Sequence, residues 1–225
     1  MEKKIEFSPD FAMLTVNMGT GEEFVAESGA MVAMTTGIEM KTQARGGVLS
    51  SLKRAVLGGE SIFQNTFTAT GENQHVKFSP PTPGALIEYP LNNGALFMQS
   101  KAYVAGDTGV NLDTKWQGAK GFFGGNGLFL LKAEGTGSVF FATYGASHEV
   151  DVNGSYVVDT SHIVAFEPSL TYNVKSVGGF KSLFFSGEGL VCEFQGTGKL
   201  WVQTRKPMNL AEFLQPFRPV KSKNN

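Results

Sequence analysis

Apolar residues in this chain come in short runs separated by glycine and polar residues. The segments 11–18, 85–89 and 138–144 are rich in Val, Ile, Phe and Tyr and have the length of strands. Asn93-Gly94 and Asn153-Gly154 lie between such runs. This pair predicts a type I′ hairpin, because both central residues of that turn take positive φ. Thr20-Gly21 reads as a turn of the same kind. Two stretches have helical spacing instead. Ser50 to Leu57 reads as one or two helical turns inside a longer loop over 43–57, and Asn209 to Gln215 as a short helix ending before Pro216.

The pattern repeats. An acid or amide, then Ser or Thr, two variable positions, a bulky apolar residue and Val-Ala occur as Glu27-Ser28…Met31-Val32-Ala33, Gln99-Ser100…Tyr103-Val104-Ala105 and Asp159-Thr160…Ile163-Val164-Ala165. Five residues past each Ala stand Ile38, Val110 and Leu170, and two further on Met40, Leu112 and Tyr172. Glycine turns follow at Gly59, Gly125–Gly127 and Gly187–Gly189. The last two copies also share Gly135-Thr136-Gly137 and Gly196-Thr197-Gly198. Self-similarity of this kind predicts an all-β fold of three repeated units packed as one body. The units run 1–95, 96–155 and 156–206, with residues 207–225 a short helix and a loose tail.

Composition narrows the function classes. Of the 225 residues 41% are hydrophobic and 17% charged, enough for a sizeable core under a sparsely charged surface. The net charge of −1 gives no general field for phosphate backbones. One cysteine, Cys192, excludes an intrachain disulfide. Met1-Glu2-Lys3-Lys4 leads straight to Ile5 without an apolar signal region, and no run approaches the ~18 residues of a membrane-spanning helix. The expected compartment is the cytoplasm.

Candidate chemistry is sparse. His75, His148 and His162 are scattered and lack metal-ligand spacing, so His162 is expected to be a half-buried, hydrogen-bonded side chain. In Glu27-Ser28, Gln99-Ser100 and Asp159-Thr160 the acid or amide and the adjacent hydroxyl point to opposite strand faces, so the hydroxyl is expected to satisfy a turn or bulge. The run Gly121 to Gly127 lacks the Lys-Ser/Thr of a phosphate loop and is followed by strand-like Leu128 to Leu131. Cys192 lies in an apolar run and is expected to be buried and inert. No residue qualifies as catalytic, cofactor-binding or metal-ligating.

Ala30 to Met34, Gly58-Gly59-Glu60-Ser61, Trp116 with Gly118 and Gly121-Phe122-Phe123-Gly124-Gly125, Val158 to Ala165 and Gly187 to Cys192 together carry a family resemblance. From about Phe11 to Thr204 the chain resembles the family named for altered inheritance of mitochondria. The resemblance implies a fold similar to the trp RNA-binding attenuation protein, built of shortened double-stranded β-helix units. It also implies association into compact rings, with a trimer favoured. The fungal relative is mitochondrial and linked to inner-membrane organisation. This chain opens without a presequence and reads as a prokaryotic member. The resemblance brings no enzymatic activity and no cofactor.

Three functions remain in view. The first is a non-enzymatic oligomeric scaffold or assembly factor. The second is a ring that binds a small ligand or nucleic acid, with Lys53, Arg54, Lys115 and Lys120 along one rim. The third is a membrane-surface organiser using Leu52 to Leu57.

Overall fold

The computed structural model describes residues 1–44, 63–113, 130–176 and 190–218. Fifteen strands lie among them. The first seven are β1 (Glu2–Glu6), β2 (Met13–Met18), β3 (Glu23–Glu27), β4 (Met31–Met34), β5 (Ile38–Ala44), β6 (Phe63–Ala69) and β7 (Gln74–Phe78). Then come β8 (Leu86–Gln99), β9 (Tyr103–Asp107), β10 (Val110–Asp113) and β11 (Leu130–Ala142). The last four are β12 (Ser147–Asp159), β13 (Ile163–Phe166), β14 (Thr171–Ser176) and β15 (Leu190–Gln203). A helix, α1 (Pro207–Leu214), follows. The described residues are all-β apart from this helix and single helical turns, and the predicted helix at 209–215 matches α1. The predicted insertion at 43–57 lies outside the described residues, except that Gln43 and Ala44 end β5.

Two antiparallel sheets result. One is four-stranded in the order β1-β2-β7-β4. The other has eleven strands in the order β12-β15-β13-β8-β11-β9-β3-β6-β5, with β10 added on β11 and β14 on β15. Residues 95/96 and 155/156, the expected unit boundaries, fall inside β8 and β12.

The Asn-Gly pairs do not make hairpins. β8 runs straight through Asn93-Gly94, and β12 through Asn153-Gly154. Only one member of each pair has positive φ, Asn93 at 52° and Gly154 at 107°, whereas a type I′ turn needs both. Asn93 is the extra residue of a β-bulge, skipped where β8 pairs with β11 across Gly94 and Gly135. Gly154 faces Gly196 as Gly94 faces Gly135, but there the register of β12 with β15 runs on without a skipped residue. Here glycine is required sterically, since a Cβ on Gly135 would lie 2.2 Å from the Gly109 carbonyl oxygen and one on Gly196 2.9 Å from that of Ser169. The shared Gly-Thr-Gly is thus where a preceding turn crosses tightly over a long strand. Thr20-Gly21 does form a turn, closed by Glu22 N–H donating to the Gly19 carbonyl. It passes the chain from β2 in one sheet to β3 in the other instead of pairing them.

The signature strands share one device. β4 pairs with β7, β9 with β11 and β13 with β15, and each register skips one residue: Val32, Val104 and Val164. A skipped residue in an antiparallel pair bends the strand and sharpens its twist. The opposite edge of β9 pairs with β3, and that of β13 with β8. These joins weld consecutive segments into one body.

Three apolar cores follow. Phe24, Phe67, Phe78 and Phe140 centre the first. Phe141 and Trp201 are in the second, and Phe166, Phe194 and Cys192 in the third. Phe78 packs its ring 5.0 Å from Phe67 and 5.7 Å from Phe24, within range of favourable edge contacts. Phe78→Ala should therefore cost about 3–5 kcal/mol through lost burial and a residual cavity. Urea unfolding would measure this, and a loss under about 1 kcal/mol would show that the rings do not form a tightly packed centre.

Candidate interaction surface

The signature residues hold turns. Ser100–Ala102 and Thr160–His162 are single 3-10 turns, and Ser28-Gly29 turns with Ala30 N–H donating to the Glu27 carbonyl at 3.1 Å. The Thr160 hydroxyl donates to the Leu190 carbonyl at 3.1 Å, tying its turn to β15. One oxygen of Asp159 accepts from Ser161 N–H at 2.8 Å and from the Ser161 hydroxyl at 2.6 Å. The other accepts from Lys206 Nζ at 2.5 Å. The acid therefore caps its turn and anchors the approach to α1, a structural use as the sequence suggested.

Around this turn lies a cleft of about 300 Å³ between Tyr144, His162, Arg205, Lys206 and Leu210. His162 is half-buried, and its Nδ1–H donates to the Gln203 carbonyl at 2.5 Å, since a carbonyl can only accept. That matches its expected role. His75 lies on β7 and His148 on β12. Among the described residues no three His, Cys, Asp or Glu side chains come together as a metal site. Cys192 is buried, and burial pushes its thiol up to about 12, which leaves no thiolate at neutral pH. The glycine run 121–127 lies outside the described residues.

Glu27 is the electrostatic exception. Withdrawal from water pushes its carboxyl up to about 7, with the Lys101 ammonium pulling part of the way back. The pair spans the join between β3 and the turn before β9. Sequence reasoning missed it, because the lysine lies 74 positions away and only the pairing of β3 with β9 brings it near.

The surface also carries exposed apolar side chains. Val32 and Met34 stand on β4, Tyr156 and Val157 on β12, and Phe213 and Phe217 on and just after α1. β4 ends the small sheet and β12 the large one. No residue of α1 is buried. Scattered exposed apolar residues are ordinary, but these gather on unpaired strand edges and one helix.

A folded carboxyl raised above its unfolded value favours the protonated fold. Stability is then fully present below the unfolded pKa near 4.5 and lost as pH climbs to about 7. The slope is at most about 1.4 kcal/mol per pH unit. Glu27→Gln should flatten this loss, raising stability at pH 8 relative to pH 5 when compared with the parent. Urea midpoints at both pH values check it, and an unchanged pH dependence would contradict it.

Comparisons with known proteins agree with the architecture. The Streptococcus pyogenes serotype M6 proteome holds an uncharacterised protein 25% identical over 231 residues, covering 99% of this chain and 93% of the relative. A crystal structure of a Streptococcus pyogenes protein superposes with a TM-score of 0.80 at 23% identity, over 96% of this chain and 99% of that one. Among the described residues no helix is long and apolar enough to cross a membrane. The family model described as mitochondrial biogenesis AIM24 matches residues 4–205, and the chain belongs to that family.

Proposed function

We propose that this chain is a non-enzymatic oligomeric scaffold or assembly factor, built of three copies of one β unit of the shortened double-stranded β-helix kind. It works as a ring of three in the cytoplasm. The carrying observation is the exposed apolar character of two of the sheet-ending strands, β4 and β12. An apolar edge with unpaired backbone groups is a template for another strand, and stable proteins cover such edges. The skipped valine common to β4, β9 and β13 supports the three-unit reading. The fully buried thiol and the turn-capping role of Asp159 support a structural rather than catalytic use of the polar residues.

Native mass spectrometry of the purified protein at micromolar concentration tests this. Three times 24.2 kDa is the expected mass. A stable monomer would overturn the scaffold reading. Excess mass removed by high salt would favour the nucleic-acid alternative instead.

A further inference from the structure

Two internal joins and two open edges follow one rule. In the first join, the residue before Glu27 pairs with the signature alanine of the next unit: Ala26 with Ala105, then Val25 with Gly106. In the second, the residue before Gln99 does the same: Met98 with Ala165, then Phe97 with Phe166. The matching residues of the third unit, Val158 and Val157 before Asp159, have no such partner among the described residues, and neither do Ala33 and Met34 of the first.

Burial separates the joined positions from the open ones. Val104 and Val164 are 1% and 0% exposed, but Val32 is 56% exposed. Val25 is 3% exposed, while its counterpart Val157 is 52%. Phe24 and Leu96 are fully buried, but Tyr156, at the same position in the third unit, is exposed. The cores show the same asymmetry. Val104, Ala105 and Phe140 of the second unit complete the first core, and Val164, Ala165 and Trp201 of the third complete the second. Their counterparts Val32, Ala33 and Lys77 join none of the three cores, and among the described residues the third core has no cover of this kind.

We infer that β4 of one copy pairs antiparallel with the end of β12 of a second copy, Ala33 opposite Val158 and Met34 opposite Val157. This inference rests on the oligomeric reading above and names its contact. Val32 and Ala33 of one copy then cover the third core of its neighbour as Val104 and Ala105 cover the first. The two surfaces are different, so the contact is heterologous. Repeated, it closes into a ring or runs on as a filament. Lys77 stands where Phe140 and Trp201 stand internally, which makes this join more polar than the internal ones.

Directly opposite residues in an antiparallel pair have Cα atoms about 4.5–5.5 Å apart, within disulfide reach. The full-length double variant Met34→Cys/Val157→Cys should link most of the protein into disulfide-bonded dimers and trimers under mild oxidation. Each single variant should stay unlinked, because neither position meets its own copy. Both positions are exposed in the single chain and should not disturb its fold. As a second probe, Val157→Lys should weaken assembly at least about tenfold, since it places a charge in a closing apolar join. An oligomeric parent whose double variant does not crosslink would overturn the join while leaving the scaffold reading intact. Crosslinking of either single variant would also overturn it, by indicating a two-fold contact. A monomeric parent would overturn both readings.

Discussion

A strand edge withdrawn from water must have its amides and carbonyls paired, and this fold is organised around that demand. The short signature strand has two edges. One is taken by a strand later in the chain (β7, β11 or β15), across a pairing that skips a valine. The other is taken by the strand that leads into the preceding signature, as β3 takes β9 and β8 takes β13. Among the described residues this demand is met twice internally, and β4 and the end of β12 are each left with one edge unpaired. The exposed Val32, Met34, Tyr156 and Val157 are the side-chain record of those two edges.

The packing follows from the same joins. Val104, Ala105 and Phe140 lie in the first core, so residues from beyond position 100 complete it. The second likewise depends on Val164, Ala165 and Trp201. Such shared cores tie segments far apart in the chain to one another. They also place Glu27 and Lys101 across a join, where burial raises the carboxylate.

Much of this was legible in the sequence. The signature residues fall on turns and on the strands β4, β9 and β13, and in the third copy local chemistry fixes the turn: Asp159 caps it and the Thr160 hydroxyl ties it to β15. Cys192 and His162 took the structural roles their neighbours suggested. The Asn-Gly pairs were misread, because positive φ at one residue serves a bulge or bend in a long strand as well as two serve a hairpin. Which hydrophobic strand pairs with which was not legible, since Val25 and Val157 look alike in sequence and differ only in whether a later strand covers them. The Glu27–Lys101 proximity was hidden for the same reason.

Amide hydrogen exchange at residues 156–158 and 32–34, followed as the protein is diluted, tests most directly whether a second copy closes the open join. Slow exchange at both segments in the assembled protein, lost together on dilution while β9 and β13 stay protected, is the predicted result. Fast exchange at both segments in an assembled protein would contradict it, because the two edges would then be open to water where they should be paired.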